Sequence, residues 1–331
     1  MADRLALRLL HNLGAERAHN LSVRLSQAAG AVPPLGWMVE RRWGVPEHPV
    51  TVFGVTFRNR IGIAAGFDKD AIALRGLGRL GIGHVEVGTV TPEPQQGNAR
   101  PRVFRLSPDH SVINRMGFPS RGAEFVAQRL RRGAADTVVG INLGKARSTD
   151  LEDAAADYLK LVDRMAPLAD YLTINVSSPN TPGLRELQRG TRLEELLSAI
   201  AARRGTVPVL AKLSPDLDDD ELDDALEAVA NSGIDGVVAT NTTLRRDGLS
   251  SPLAAEDGGL SGAALTKMST RMVSEISRRT GGSLPIIAAG GVASGTDAAS
   301  KLDAGADLVQ VYTGLVFRGP ALLRELVAAT K

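Results

Sequence analysis

Cysteine is absent from this chain of 331 residues. Disulfide bonds, zinc–thiolate sites, iron–sulfur ligation and a catalytic thiolate are therefore excluded within it. The five histidines are scattered along the sequence, and none has the HExxH spacing of a zinc site. We interpret the histidines as structural or surface residues, and we predict no bound metal.

Aromatic residues and excess charge of one sign are also scarce. Aromatics make up 4% of the chain and the net charge is +2, which argues against nucleic acid as a partner. No apolar run approaches the roughly 20 residues that a spanning helix needs, and no signal-peptide pattern is present. We therefore expect a protein that is made and kept in the cytoplasm, where it can still contact a membrane surface.

Eight short apolar segments alternate with helical patterns along most of the chain. The segments begin at Ile61, His84, Val138, Tyr171, Pro208, Gly236, Pro285 and Leu308. They show little polar alternation, as expected of parallel strands buried on both faces. Helical patterns follow them, for example from Leu151 and from Asp219. Eight such units in succession predict an α/β fold, the (β/α)8 TIM barrel, with a doubly wound open sheet as the weaker alternative.

Two insertions and one acidic run interrupt this alternation. Residues Pro101–Phe118 are predicted to form an added hairpin near the barrel mouth. Residues Ser177–Gly190 form a polar loop with two prolines and two glycines, long enough to act as a lid. The acidic run Asp216–Asp224 resembles a metal site, but we interpret it as a solvated helix start, where carboxylates favour the positive end of the helix dipole.

The first 45 residues differ from the rest and are treated as an N-terminal extension of a catalytic domain that spans residues 46–331. Two short amphipathic helices are predicted, followed by a connector that contains Pro33, Pro34 and Trp37. Met1–Trp43 carries six arginines against three acidic residues. One helical face carries Leu5, Leu9, Leu10 and Leu13, and the next carries Leu21 and Leu25. The pattern alone favours a helical cap packed on the barrel; a pair of interfacial membrane helices is the alternative.

Polar residues stand at the ends of six successive predicted strands, where the functional groups of such barrels collect. They are Lys69, Thr89, Asn142, Asn175, Lys212, Thr240, Asn241 and Thr242. A single buried amide can merely satisfy the backbone, but a ring of them indicates a site for a polar, planar ligand.

The last two predicted strands end in glycine-rich loops, Ala288–Gly295 and Tyr312–Gly314. Glycines there let backbone N–H groups approach a phosphate, and these two loops are the recurrent phosphate site of the fold. Amides over the barrel mouth together with one terminal phosphate suit FMN better than a dinucleotide. No GxGxxG motif follows a strand, which argues against a Rossmann-type NAD site.

Nine segments, in order, resemble quinone-type dihydroorotate dehydrogenase. They are AAGFDKD from Ala64, EVGTVTPEPQQGN from Glu86, RPRVFRL from Arg100, INRMGF from Ile113, INLGK from Ile141, INVSSPNTPGLR from Ile174, ATNTT from Ala239, GGLSG from Gly258 and VYTG from Val311. The motif Glu16–His19 resembles the N-terminal extension of that family. One departure is INLGKAR, where the family more often has NLGKNK, which puts local loop contacts in doubt.

The resemblance implies site residues for the cofactor and the substrate, and oxidation of dihydroorotate to orotate in de novo pyrimidine (UMP) biosynthesis. FMN would be held by Ala65, Gly66, Thr89, Asn142, Asn175, Lys212, Thr240, Gly262, Gly291, Tyr312 and Thr313. Dihydroorotate or orotate would be held by Lys69, Asn114, Arg115, Met116, Gly117, Phe118, Asn175, Asn180, Asn241 and Thr242. Ser178 would be the base that takes the proton from C5 while a hydride leaves C6 for the flavin.

Serine at position 178 also separates the subclasses, because the soluble relatives carry cysteine there and lack the N-terminal extension. The resemblance thus implies a quinone acceptor, reached through an apolar tunnel with Arg105 and Tyr312 at its inner end. It also implies a monomer held peripherally on the cytoplasmic side of the cell membrane by its N-terminal helices. The alternatives are another FMN barrel acting on a different planar amide, such as a pyrimidine reductase, and a membrane-attached flavin-binding scaffold without activity.

Overall fold

The fold, described from a computed structural model, is a closed barrel of eight parallel strands. The structure describes residue 7 and residues 9–133, 137–189 and 191–331. The barrel strands are β3 (Ile61–Ile63), β4 (His84–Val90), β7 (Val138–Leu143), β8 (Tyr171–Asn175), β9 (Val209–Leu213), β10 (Gly236–Ala239), β12 (Ile286–Ala289) and β13 (Leu308–Val311). They pair in this order, and β13 pairs with β3 to close the ring. All eight predicted strands are confirmed, and the open-sheet alternative is excluded.

Helices surround the barrel and precede it. They are α1 (Ala15–Ala31), α2 (Pro33–Trp43), α3 (Leu74–Gly78), α4 (Ala123–Leu130), α5 (Ala154–Met165), α6 (Thr191–Ala201), α7 (Asp219–Ser232), α8 (Thr266–Arg279), α9 (Gly295–Asp303), α10 (Thr313–Arg318) and α11 (Leu322–Ala329). Short 3-10 turns lie at Ala166–Leu168, Leu184–Gln188, Pro252–Ala255 and Ala263–Leu265. Apolar side chains on the inner helix faces and on the strands form the main core, and two smaller apolar clusters are separate from it.

The predicted hairpin between the second and third barrel strands is confirmed as β5 (Val103–Leu106) and β6 (Ser111–Asn114). A third strand, β11 (Gly259–Gly262), pairs with β6 in antiparallel fashion and was not among the predicted strands. Its sequence contains three glycines or serines in four residues, so it lacks the β-branched signal of a strand. Pairing of β11 with β6 brings two loops that are far apart in sequence to the same edge of the barrel mouth.

A second unpredicted hairpin, β1 (Val50–Val52) and β2 (Val55–Phe57), lies at the opposite end of the barrel. Val52 and Phe57 are buried in one apolar cluster with Tyr171, Leu210 and Leu308, which lie in the first two positions of their strands. Phe57 also packs edge-on against His84. The hairpin therefore closes the amino-terminal end of the barrel.

The N-terminal segment is helical, but the predicted connector is wrong. Residues Pro33–Trp43 form α2, with its prolines in the first helical turn, where their missing N–H groups cost nothing. Helix α1 is bound closely to the barrel wall, since a Cβ added to Gly76 would lie 1.7 Å from the Ser26 carbonyl oxygen. Of the predicted apolar face, residues 9 and 10 lie in a helical segment, whereas Leu5 lies outside the described residues.

The acidic run is confirmed as a helix start. Asp218 caps α7 by accepting from the Glu221 N–H at 2.9 Å, and Glu221 accepts from the Asp218 N–H at 3.1 Å. Within the described chain, no group of three or more acidic or histidine side chains could hold a metal ion. Asp216 is the exception to a purely solvated run, because it forms a salt bridge with Arg185 of the predicted lid.

Candidate active site

A cavity opens at the carboxyl-terminal ends of the barrel strands and gathers most of the predicted site residues. Its walls include Ala65, Gly66, Lys69, Thr89, Asn114, Met116, Phe118, Asn175, Ser178, Asn180, Lys212, Thr240, Asn241, Thr242, Gly262, Gly291, Tyr312 and Thr313. Side chains from the β5–β6 hairpin, from the loop after β8 and from α1 reach the same cavity. Residues as far apart in sequence as Ala64 and Gly314 thus meet, because the parallel strands all end at one face.

Three predicted residues do not line this cavity. Asn142 lies behind the wall, where its Oδ1 accepts from Thr89 and Asn175 of the cavity lining. Arg115 instead forms a salt bridge with Glu256 at 2.7 Å and stacks over the Phe104 ring. The Gly117 carbonyl accepts from Gln95 at 3.2 Å. Direct substrate contacts by Arg115 and Gly117 remain predictions, and both residues shape the hairpin loop that carries their neighbours Asn114 and Met116.

A chain of buried hydrogen bonds orients the amides on the barrel floor. Asn142 Oδ1 accepts from Thr89 Oγ1 at 2.6 Å and from Asn175 Nδ2 at 3.0 Å. Asn241 Nδ2 donates to Asn175 Oδ1 at 3.2 Å and to Ser177 Oγ at 3.0 Å. Because each amide has its donor and acceptor ends assigned by a neighbour, the network presents one fixed polar pattern to a ligand.

A buried ion pair lies beneath this network. Glu86, fully buried on β4, lies with its Oε1 3.6 Å from Lys212 Nζ. Glu86 also accepts from Asn142 at 2.8 Å and from Gln310 at 2.7 Å. Burial acts to raise the pKa of Glu86, but the Lys212 charge and these hydrogen bonds outweigh it and hold the pKa below its ordinary value. Lys212 therefore faces the cavity as part of a carboxylate-balanced pair.

Lys69 lies on the side of the cavity nearest the N-terminal helices. Its Nζ donates to the Gly66 carbonyl at 2.5 Å and lies 3.1 Å from His19 Nε2. Burial lowers the pKa of Lys69 to about 8. Burial and the Lys69 charge together lower the pKa of His19 well below its ordinary value, so this imidazole is neutral at neutral pH.

His19 and Glu16 of α1 are cavity residues that the sequence analysis did not assign to the site. His19 packs against Phe67 and Tyr312, and Glu16 forms a salt bridge with the buried Arg102 at 2.8 Å. Their family motif was recognised, but a lone histidine and a lone glutamate carry no spacing signal. Arg105, expected at the inner end of a tunnel, donates to the His11 carbonyl at 2.8 Å and so contacts the N-terminal segment; its place in a tunnel stays a prediction.

The loop after β8 carries Ser178 into the cavity. Ser178 Oγ accepts from the Asn180 N–H at 3.3 Å, and Asn180 Nδ2 donates to Asn114 Oδ1 at 3.2 Å. Ser178 is buried, and in the part of the chain that the structure covers no carboxylate or imidazole hydrogen-bonds to its hydroxyl. The surroundings of Ser178 therefore fix the position of its hydroxyl group, but among the described residues they provide no hydrogen-bonded base.

Glycine backbone forms the far end of the cavity. Gly290 and Gly291 have φ values of +105° and +72°, which side chains rarely adopt. Thr313 Oγ1 lies 2.9 Å from Ser261 Oγ, so two hydroxyl groups meet beside this turn. Small residues, exposed amides and hydroxyls suit an anionic group such as a phosphate ester.

Ten large apolar side chains of the described chain are exposed, and eight of them lie in residues 9–38. They are Leu9, Leu13, Leu21, Leu25, Val32, Leu35, Trp37 and Met38. The opposite face of α1 is buried through Ala18, Val23 and Ala29. The segment is thus packed on the barrel by one face and presents an apolar patch on the other. Across the described residues, no helix combines the length and apolar character needed to cross a bilayer.

Comparison with known proteins extends these findings. The family model described as dihydroorotate dehydrogenase matches residues 48–329. A protein from Pseudomonas putida strain KT2440 named dihydroorotate dehydrogenase (quinone) is 46% identical, with 98% of this chain and 97% of the relative covered. A protein of the same name from Shewanella sp. strain ANA-3 is 42% identical, with 99% of each chain covered.

Two solved structures are similar along nearly the whole chain. A crystal structure of DHODH in complex with ferulenol from Eimeria tenella aligns with a TM-score of 0.84 at 36% identity, covering 96% of this chain and 90% of that one. The ligand-free structure from the same organism aligns with a TM-score of 0.83 at 37% identity, covering 92% of this chain and 93% of that one.

Proposed function

Because this chain belongs to the dihydroorotate dehydrogenase family, we propose that it oxidises dihydroorotate to orotate and passes the electrons to a quinone. The reaction belongs to de novo pyrimidine (UMP) biosynthesis. One observation carries the proposal: a cation, several oriented amides and a buried serine converge in a single cavity at the barrel mouth. That donor set matches the carboxylate and the pyrimidinedione edge of orotate.

Membership of the family implies a flavin cofactor, and the proposed flavin is FMN. The fit rests on the glycine turn at Gly290–Gly291, whose exposed amides suit one phosphate, and on the oriented amides of the barrel floor. Gln310 adds a buried side-chain oxygen that faces the cavity without a hydrogen-bond partner among the described residues. Bound FMN would accept a hydride from the substrate and later release electrons to the acceptor.

The chain's own residues orient the substrate and move one proton. Lys69 would bind the orotate carboxylate, and Asn114, Asn180 and Asn241 would bind the ring amides. Ser178, aligned by the Asn180 N–H, would take the proton from C5. Because no carboxylate or imidazole of the described residues hydrogen-bonds to Ser178, the serine would pass its own hydroxyl proton to a water molecule as it takes the proton from C5.

Access for a quinone is proposed along the N-terminal helices. The cavity is lined by Glu16 and His19 of α1, and the same helix exposes Leu21 and Leu25 on its outer face. An exposed apolar patch flanked by arginines favours peripheral contact with an anionic bilayer, on the cytoplasmic side of the cell membrane. The proposed form is a monomer docked by residues 1–45.

The direct test is an anaerobic titration of the purified protein with dihydroorotate. Yellow protein that bleaches, and regains colour when a short-chain quinone is added, supports the proposal. Yellow protein that does not respond to dihydroorotate indicates a flavin-binding scaffold and overturns it. Yellow protein that is inert to dihydroorotate but oxidises when uracil or thymine is added after chemical reduction indicates a pyrimidine reductase instead.

A further inference from the structure

A lysine side chain is fully buried behind the glycine end of the cavity. Lys301 of α9 has no exposed surface, and its Nζ donates to Ser269 Oγ at 2.5 Å, Thr270 Oγ1 at 2.7 Å and the Thr266 carbonyl at 3.3 Å. None of these partners is charged, and no salt bridge joins Lys301 to a carboxylate anywhere in the described chain. A buried cation without a salt-bridge partner is costly, so an anion bound nearby would stabilise it.

The partners of Lys301 hold the glycine turn. Ser269 Oγ accepts from Lys301 and lies within hydrogen-bond distance of three carbonyl oxygens, those of Leu265 at 2.9 Å, Thr266 at 3.2 Å and Gly290 at 2.9 Å. Thr266 Oγ1 donates to the Gly291 carbonyl at 2.7 Å. Both carbonyls of the turn are thus fixed toward α8 and away from the cavity.

Because peptide groups are planar, the orientation of the two carbonyls also determines where the following N–H groups point. In a planar trans peptide the N–H points opposite to the preceding carbonyl, so the Gly291 and Val292 N–H groups face away from α8. Both residues line the cavity, and neither N–H donates to another group of the described chain. Only glycine fits at position 291, because an added Cβ would lie 2.3 Å from Thr266 Cα.

Among the described residues, Lys301 is the cation at this end of the cavity that forms no salt bridge, although the Asp297 carboxylate acts on it from a longer distance. The cavity walls contain two lysines, and both belong to other regions: Lys69 lies beside His19, and Lys212 pairs with Glu86. Arg318 donates to the Ala293 carbonyl at 2.8 Å but forms a salt bridge with Glu325 at 2.7 Å. Asp297, the carboxylate that acts on Lys301 at longer range, accepts from Ser294 at 2.9 Å.

We propose that Lys301 is a positioning residue for a phosphate monoester, which it stabilises by its buried charge and by orienting the Gly290–Gly291 turn through Ser269. The inference rests on the proposed function, since it assumes that the ligand with the phosphate is FMN. Burial lowers the pKa of Lys301 to about 7. A dianion bound nearby would raise this pKa and keep the lysine protonated at neutral pH.

The test compares FMN with riboflavin, which lacks the phosphate. Apoprotein is titrated with each flavin, and the dissociation constants are obtained from quenching of flavin fluorescence. For Lys301→Met we expect the FMN constant to rise on the order of 10-fold to 100-fold, because the buried charge and the hydrogen bond that supports Ser269 are both lost, with the riboflavin constant within about twofold of wild type. Lys267→Met, which removes an exposed lysine from the neighbouring helix α8, should change neither constant.

Two further variants, Lys301→Gln and Ser269→Ala, keep the test decisive if Lys301→Met misfolds. They also separate the effect of the lysine charge from the effect of the orientation of the turn. We expect Lys301→Gln to lose most of the FMN preference although it keeps a hydrogen-bond donor, and Ser269→Ala to lose part of it. Equal weakening of both flavins, or an unchanged ratio of the two constants, would overturn the role of Lys301. Wild-type protein that binds neither flavin would instead overturn the proposed function, together with the inference that depends on it.

Discussion

Glu86 Oε1 and Lys212 Nζ lie 3.6 Å apart inside the barrel, and neither side chain is more than 6% exposed. Removal of one member of a buried pair leaves an uncompensated charge. We therefore expect Glu86→Gln to lower the free energy of unfolding by about 3–5 kcal/mol, measured by chemical denaturation. Glu325→Gln, which breaks the exposed salt bridge to Arg318, is the matched control and should cost at most about 1 kcal/mol. Equal effects of the two substitutions would contradict this assignment.

The same carboxylate predicts a pH dependence of stability. The pKa of Glu86 is held below its ordinary value in the folded protein, so its contribution is present above the unfolded-state pKa of 4.5 and is lost as pH falls below that value through the folded-state pKa. Stability of the wild-type protein should thus fall with acid more steeply than that of Glu86→Gln. If the free energies of unfolding of the two proteins fell in parallel between about pH 6 and about pH 3, Glu86 would not be the group responsible.

Ser178→Ala tests the proposed proton transfer. Orotate binding should be retained, because Lys69, Asn114 and Asn241 lie on other elements, whereas reduction of the flavin should slow by a factor on the order of 10² or more. Stopped-flow absorbance under anaerobic conditions measures that step. Ser178→Cys is the informative companion, since a thiol has a lower pKa and should recover rate as pH rises toward about 8.5. Near-wild-type reduction by the alanine variant would remove Ser178 from this role.

We predict that the affinity for orotate depends on pH through the protonation of Lys69. Its pKa of about 8 means that the ammonium is charged below that pH and neutral above it. Orotate, a carboxylate, should therefore bind more weakly as pH rises through about 8. Lys69→Ala should weaken binding by roughly 1.5–3 kcal/mol at pH 7 and flatten the pH profile. A spectral titration that gives the same profile for both proteins would assign the carboxylate to another cation.

We predict that Arg185 stabilises the loop that carries Ser178. Its guanidinium donates to Asp216 at 2.8 Å, to the Ser177 carbonyl at 3.0 Å and to the Thr242 carbonyl at 3.0 Å. Arg185→Ala should increase protease cleavage within residues 177–189 and raise the KM for dihydroorotate. Arg189→Ala, whose side chain is 61% exposed, is the control and should leave cleavage near the wild-type rate.

The exposed apolar patch predicts binding to membranes. Leu25 and Trp37 are 57% and 58% exposed, so their replacement by serine should not disturb the core. The double variant should bind anionic vesicles more weakly in sedimentation assays and reduce a long-chain quinone more slowly, while dihydroorotate still bleaches the flavin. Leu244→Ser, at a 51% exposed leucine outside the N-terminal segment, is the control. Unchanged vesicle binding would count against docking through this patch.

The barrel could be predicted from the sequence because each buried parallel strand is a continuous apolar run, such as Val138–Leu143, bounded by turns. The ring of polar strand ends was predictable for the same reason, since the end of a recognised strand fixes where Asn175 or Lys212 lies. The strand β11 escaped because Gly259–Gly262 has no β-branched residue and exists only through pairing with β6.

The roles of Glu86, Lys301 and His19 could not be predicted for a different reason. Each is a single ionisable residue whose importance depends on partners far away in sequence: Glu86 meets Gln310, Lys301 meets Ser269, and His19 meets Lys69. No spacing rule links such pairs. The helix α2 was missed because the segment with prolines at positions 33 and 34 was interpreted as a connector, although these prolines occupy the first turn of a helix.

The hairpin β1–β2 closes the amino-terminal end of the barrel with Val52 and Phe57, so the opposite end is the one through which ligands reach the strand-end cavity. On the proposed function, that single open face must serve a water-soluble acid and a lipid-soluble quinone. A barrel standing upright with its mouth pressed flat against lipid would shut out dihydroorotate. The docked molecule must therefore tilt, with helices α1 and α2 dipping into the interface and the loop that carries Ser178 raised toward water.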